Sequence, residues 1–490
     1  MTHETSDNQT LPAEEENEFW DAEMEKIVDP ELGIDDFPNS RTKGVLYGLQ
    51  HSLVDPNPFL YPLIIGAAAG WAGSTIAYVV QATLIFSMLT TLIQTTYGNR
   101  LPIIQSASLA DTGVMATVAA TIGVPAMWMG AFIGGLIEAV VGASKVLKNL
   151  KNVITPVVSG AVITVIGIYL AQVGMDWVVV AGAETTIDSV SARFAFAGAV
   201  ILFFILLTFL GEIWSPLLSR GALFFSLIAI GVIVPLTTDT IGLTNALDLA
   251  PVAEAAWFGV PTPGHEGLPF LDWPIVTGAI VAIAIEYLGS ISESIGDYAA
   301  TCAVSGVSLS EEKINRGITL EGVASSVSVL FGGLPMTSYS QNVGIIATTR
   351  VASRKVVAIG GIFLGLYGLV PKVGQLVIAI PQAVLGGVFL VITGMIAVAG
   401  IRTIAQSERT EANMLTAALT IAIALTLPSA ASGSKWVNAL PSGLEVFVSS
   451  GIVLSVVVGA VLNLFVGQVL EPFVNGRVST AEETVETADD

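Results

Sequence analysis

The feature that most constrains this chain is the recurrence of apolar runs about 20 residues long. Each can cross roughly 30 Å of hydrocarbon as a helix. They include 198–211 with its flanks, 220–236, 273–289, 411–427 and 446–466. Only 12% of residues are charged, where a soluble domain carries about 25%. Most of the chain therefore needs no water-facing side. Glycine is abundant at 49 residues, as suits helices that approach closely in lipid. The pattern predicts an all-α polytopic membrane protein in the cell membrane.

About 14 apolar segments can be drawn by the roughly 20-residue criterion: 44–70, 73–97, 101–123, 124–143, 153–174, 193–212, 219–238, 273–301, 317–333, 335–349, 355–371, 375–401, 411–430 and 445–467. The third and tenth are too short and polar to be simple spanning helices. With the N-terminus inside, 16 of the 19 Lys and Arg residues fall inside and only Arg193, Lys372 and Lys435 outside. Cytoplasmic retention of basic residues supports this orientation, with both termini cytoplasmic. The domains expected are an acidic tail over 1–43, a transmembrane domain over 44–467 and a second acidic tail over 468–490. The first forty residues lack the apolar stretch of a signal peptide.

The third segment opens Leu101-Pro102-Ile103-Ile104-Gln105-Ser106-Ala107-Ser108. The tenth opens Leu334-Pro335-Met336-Thr337-Ser338-Tyr339-Ser340-Gln341. Seven segments separate them, an odd number, so the halves (about 44–238 and 273–467) run in opposite senses. Paired interrupted segments in an inverted repeat point to a substrate site.

Net charge is −21, from 40 acidic and 19 basic residues. Acidic, aromatic-poor tails are expected to be solvated arms, and the excess is read as an adaptation to high salt, with a regulatory tail as the alternative. It argues against nucleic-acid binding. One cysteine, Cys302, excludes an internal disulfide. Three scattered histidines (His3, His51, His265) offer no metal cluster, so no metal or cofactor is expected beyond a coupling cation, H+ or Na+.

Carboxylates inside apolar segments are costly and mark functional candidates. Glu293 and Asp297 in the eighth segment are four apart and share a helix face. Two carboxylates there repel unless a proton or cation is shared. The plain alternative is that the segment ends earlier and both face water. Glu286 lies on the same segment and ranks lower. Glu321 opens the ninth segment, where an ion pair with a nearby arginine is the plain alternative. Gln341-Asn342 heads the tenth half-helix. A side-chain amide offers a donor and an acceptor, as a lactam edge does, or it caps the helix.

Gln341-Asn342-x-Gly344-x-x-x-x-Thr349-Arg350 resembles the signature of the nucleobase–ascorbate transporter family, also called nucleobase–cation symporter-2. Glu293-Ser294-Ile295-Gly296-Asp297 is similar to its eighth-segment acidic motif, and Gln50-His51 to its first-segment pair. The stretch Thr90–Gly98, with Arg100-Leu101-Pro102, resembles the lead into its third segment. The resemblance runs from about 44 to 430. It implies fourteen segments in two inverted repeats of seven, split into core and gate domains. Segments three and ten would begin as short strands with substrate between them.

By resemblance, Glu293 and Gln341 bind the base, with Asn342, Leu109 and Ser108 at the substrate site. Asp297 and Glu321 support coupling, and His51 helps to organise the site. Gln at position 341 goes with an oxopurine such as xanthine or urate. The family usually has an aromatic where Leu109 stands and an apolar residue where Asp111 stands. Val54-Asp55-Pro56 is also more polar than its pattern. The function expected is nucleobase symport, with a uracil permease or a sulfate-type anion carrier as alternatives. A membrane enzyme or receptor is disfavoured because no nucleophile–base pair stands out. Partners expected are the nucleobase and membrane lipid, with a homodimer kept open.

Overall fold

The computed structural model describes residues 30–144, 155–180, 187, 189–214, 218–219, 221–240, 247–263, 275–432, 434–437, 439–440 and 448–473. Most of both acidic tails, His3, His265 and much of the expected loop over 237–272 lie outside the described residues.

The chain is helical. In order it forms α1 (Arg41–Leu53), α2 (Asn57–Ala69), α3 (Gly73–Thr96), β1 (Gln105–Ala107), α4 (Leu109–Thr121), α5 (Val124–Ala143), α6 (Pro156–Val179) and α7 (Val190–Trp214). Then come α8 (Ala222–Ile228), a π-helical turn (Ala229–Ile233), α9 (Val234–Thr240) and α10 (Ala250–Glu254). The second half contains α11 (Thr277–Ser305), α12 (Glu311–Leu330), β2 (Met336–Ser338) and α13 (Gln341–Thr349). It continues with α14 (Arg354–Gly368), α15 (Pro371–Ala379), α16 (Gln382–Gln406), α17 (Glu411–Ala431) and α18 (Gly451–Leu462).

Among the described residues, nine helices are long and apolar enough to cross a membrane, or ten with the bent pair α14 and α15. The other expected segments, the first, third, ninth and tenth, are broken, shortened by a strand, or more polar. The first breaks at Val54-Asp55-Pro56: the Asn57 amide donates to Asp55 Oδ1 at 3.2 Å, and Pro56 precedes α2. The boundary drawn between the eleventh and twelfth segments needs correction. Pro371 and Pro381 place the breaks, so residues 375–379 belong to α15, bent by 78° from α14. A proline cannot donate to the helical ladder and disfavours helix in the residue before it.

The two interrupted segments meet. β1 and β2 pair antiparallel, with Gln105 opposite Ser338, Ser106 opposite Thr337 and Ala107 opposite Met336. The Tyr339 amide donates to Ile104 O at 3.0 Å and the Ser108 amide to Pro335 O at 3.2 Å, so the pairing extends past both strands. Extended backbone in a water-poor interior must satisfy its polar groups within the protein. These two strands do so on each other.

Packing bears out the repeat. α3 lies along α14, and α12 along α5. α6 lies along α16. Exchanging each element for its counterpart seven segments on turns the first pair into the second and returns the third to itself. Small residues bring these helices together: a Cβ on Gly322 would stand 2.2 Å from the Ala139 nitrogen, and one on Gly167 2.4 Å from the Ala397 nitrogen. Close glycine-lined crossings of this kind hold helices in lipid. Two packing groups result, one of α1–α5 with α11–α15, the other of α6–α8 with α16–α18.

On the first group, residues 30–36 form a strap. Leu32 pairs in parallel with Val351, and the Arg354 guanidinium meets Asp35 at 2.6 Å. That hydrogen bond holds the Asp35 carboxyl below its ordinary range.

Candidate functional site

A cavity of about 1050 Å³ lies between the two groups. The first group supplies α11, β2 and the start of α13; the second supplies α6 and α16. Brought together on its wall are Glu293, Asp297 and Gln341, which the sequence reading placed at the substrate and coupling sites.

Each has a structural reason for its position. Glu293 and Asp297 stand one turn apart on α11, on the side turned to β2. Asp297 Oδ2 accepts from Ser338 Oγ at 2.8 Å and from Ser340 Oγ at 3.1 Å. These two hydroxyls flank the break between β2 and α13, so the strand end fixes the carboxylate. Gln341 is the first residue of α13 and half-buried. It therefore sits where the unpaired N–H groups and positive dipole end of a half-helix gather.

Other expected residues lie behind this wall. Asn342 is fully buried, hydrogen-bonded to the His51 ring through Oδ1, and donates from Nδ2 to Pro102 O at 2.9 Å. Because Asn342 Oδ1 accepts, the His51 Nδ1 carries the proton. The pair clamps α1 to α13 and to the lead into β1. Glu321 is fully buried and accepts from the Tyr298 hydroxyl at 2.6 Å. Among the described residues no arginine pairs with it: Arg316 meets Glu312 instead. Ser108 caps α4 by accepting from the Asp111 amide at 3.3 Å and does not line the cavity. Leu109 begins α4, and its side chain lies outside the described residues.

The structure adds residues that the motifs did not single out. Asn57 and Tyr61 of α2 reach the wall because the first segment is broken, and Arg402 of α16 lines the cavity although its position suggested a loop. Asp55, met first as a departure from a pattern, is buried and accepts from Ser106 Oγ at 2.9 Å. Asn57 Nδ2 donates to Ala107 O at 3.3 Å. Together they pin β1 to α2. The polar run Val54–Asn57 was the available signal. Among the described residues no group of three His, Cys, Asp or Glu could hold a metal ion.

Half-helices that start from a pair of short strands, facing an inner cavity walled by carboxylates and an amide, define a class: a multi-pass membrane transporter. The chain belongs to the permease family whose model, Xan_ur_permease, matches residues 42–432. It is 32% identical over 416 residues to the uric acid permease PucK of Bacillus subtilis, covering 83% of this chain and 93% of that one. It is 30% identical over 394 residues to the uric acid transporter UacT of Escherichia coli, covering 78% of each. The murine Slc26a9 anion transporter, solved in the inward-facing state, shares the fold, with a TM-score of 0.60. That match covers 88% of this chain and 69% of that one at 11% identity.

Proposed function

We propose that this permease carries an oxopurine, urate or xanthine, across the cell membrane by symport with H+ or Na+, and that the inner cavity is its binding site. The observation that carries the reading is the meeting of Glu293 and Gln341, from separate elements, on one wall. An oxopurine edge presents N–H donors beside carbonyl acceptors. A carboxylate takes the donors, and an amide gives one hydrogen bond and takes another. The uric acid permeases at about a third identity support the same class.

Fourteen crossings, with repeats over about 44–238 and 273–467 and both termini cytoplasmic, belong to the same reading. It is supported by the 16-to-3 distribution of basic residues. Lipid contact fits the exposed apolar side chains of α7, among them Phe209, Ile213 and Trp214. A homodimer is part of the proposal and would be read by cross-linking in membranes.

The test is uptake of labelled urate, xanthine, uracil and sulfate into cells making the protein, with the proton and sodium gradients collapsed in turn. Urate or xanthine uptake lost with one gradient is the expected result. Arg402 in the cavity favours the anion-carrier reading enough to include sulfate. Sulfate uptake without oxopurine uptake would replace the proposal.

A further inference from the structure

Beyond the cavity, α11 continues as a stripe of alternating acids and hydroxyls: Glu286, Ser290, Glu293, Ser294 and Asp297 share a face. The hydroxyls form a connected run. Ser338 Oγ, which donates to Asp297, lies 3.2 Å from Ser294 Oγ. Ser294 Oγ lies 2.9 Å from Thr337 Oγ1, which accepts from Ser290 Oγ at 3.2 Å. Ser290 is one helical turn from Glu286; no hydrogen bond joins the two side chains, so the first transfer needs a side-chain rotation or a bridging water.

Glu286 is 0% exposed, and neither of its carboxylate oxygens has a hydrogen-bond partner among the described residues. One of them lies 3.2 Å from where a Cβ on Gly289 would stand. Gly289, with Glu293 and Ser159, lines a second small cavity of about 20 Å³, room for about one water.

Of the elements packed on this part of α11, only α12 carries basic residues, Lys313 and Arg316, both in its first two turns and neither buried. α5 brings Glu138 and α4 brings Asp111, both buried; α12 brings Glu321. α13 and α18 carry no charged residue before Arg350 and Glu471, and the one acid of α6, Asp176, is exposed. The buried basic side chains among the described residues, His51 and Arg193, lie on α1 and α7. Arg402 lines the cavity with Glu293 and Asp297, but carboxylates gathered in this number against so few cations cannot all be charged, and an unpaired buried carboxylate is tolerable when it holds a proton.

We propose that Glu286 is a second proton-holding site, joined to Asp297 through the hydroxyls of Ser290, Thr337, Ser294 and Ser338. The proton leaves the Glu286 carboxyl and each hydroxyl accepts one proton while releasing its own. The Asp297 carboxylate takes up the last, leaving Glu286 as carboxylate; charge and atoms balance with no other reactant. Glu286 does not line the cavity, while Thr337, Ser338 and Asp297 do, so the relay starts behind the wall and ends on it. The inference takes H+ as the coupling ion of the function proposed above.

Infrared difference spectroscopy of the purified full-length protein tests the site without any substrate. A protonated-carboxyl band that shifts in D2O should be present in the parent and missing in Glu286→Gln. In proteoliposomes under an imposed pH gradient, Glu286→Gln should keep the parent's equilibrium binding of urate or xanthine and lose most of its uphill accumulation. Glu286→Asp should restore it, and Ser290→Ala should lose it as Glu286→Gln does. An unchanged infrared band with parental accumulation in Glu286→Gln and Ser290→Ala overturns the proposal, as does accumulation driven by sodium alone. Should Glu286→Gln not fold, Ser290→Ala against the parent decides. Absence of any oxopurine binding in the parent refutes the substrate reading and leaves the infrared test of Glu286 standing.

Discussion

β1 with α4 and β2 with α13 are the same backbone device used twice, yet they carry different chemistry. Each begins with Leu-Pro, runs as a three-residue strand and turns into a half-helix. The β2–α13 copy turns Ser338, Ser340 and Gln341 to the cavity. The β1–α4 copy contributes Ala107 to the wall, while its Ser106 hydroxyl is spent on Asp55. The repeat thus preserves what the backbone needs, partners for its N–H and C=O groups at depth. It leaves side chains free to specialise, so one copy faces the cavity with polar groups and the other braces it.

The largest effect should fall on the reading side. Glu293→Gln removes a charged acceptor, and a hydrogen bond to a charged group is worth about 1.5–3 kcal/mol. Oxopurine binding to purified protein should weaken by roughly ten- to a hundredfold, and parental affinity would remove Glu293 from the site.

Gln341→Glu should weaken oxopurine binding by about 1–3 kcal/mol, since one donor is lost in a semi-enclosed site. Competition by uracil should appear in the same assay. Affinities unchanged for every base would show that Gln341 merely caps α13.

Asp297→Asn keeps shape and removes charge. It should spare equilibrium binding and abolish accumulation against a gradient in vesicles. Parental accumulation would make Asp297 structural and move coupling to Glu321.

On the bracing side, Asp55→Ala strips partners from Ser106 Oγ and the Asn57 amide. It should cost about 1–3 kcal/mol of stability, read as a lower Tm in detergent, with the order of base preference unchanged. A switched preference would break the contrast between the copies.

The smallest effect concerns Asp35. Its carboxyl is held low by Arg354, so its contribution is present above the ordinary carboxylate pKa and is lost as pH falls through the lowered value. Asp35 is exposed while the Arg354 side chain is mostly covered, so solvent screens the pair from the Asp35 side. Asp35→Asn should leave neutral-pH Tm and binding nearly as they are, and a large drop would give the strap a structural weight that its exposure does not suggest.

The helical architecture was legible because a membrane interior demands long apolar runs, and position after position obeys. The strand pair was foreshadowed by Leu-Pro followed by hydroxyl residues at 101–108 and 334–341. Glu293, Asp297 and Gln341 were visible as polar groups where lipid forbids them without cause. The break inside the eleventh segment was not placed correctly, because the bend falls at Leu369-Val370, ahead of Pro371, within a stretch drawn as one apolar run. Arg402 read as a loop cation because α16 continues to Gln406, beyond the apolar limit drawn at 401. Asn57 and Tyr61 could not be placed from periodicity, since their direction depends on how α2 departs from α1. The clamp between His51 and Asn342 joins residues 291 positions apart, and no local pattern encodes it.

The hydroxyls of Ser159 on α6 and Ser292 on α11 meet at 2.5 Å across the boundary between the two packing groups. Around them the boundary is largely greasy: Ile163 and Met395 on one side, Ile291 and Ile295 on the other. Apolar contact has no preferred direction, so one such face can glide over another with little change in energy. A single neutral hydrogen bond resists with only about 1 kcal/mol. Each packing group is stiffened internally by glycine-lined crossings, while the seam between them, among the described residues, has the make-up of a greased bearing with a light catch.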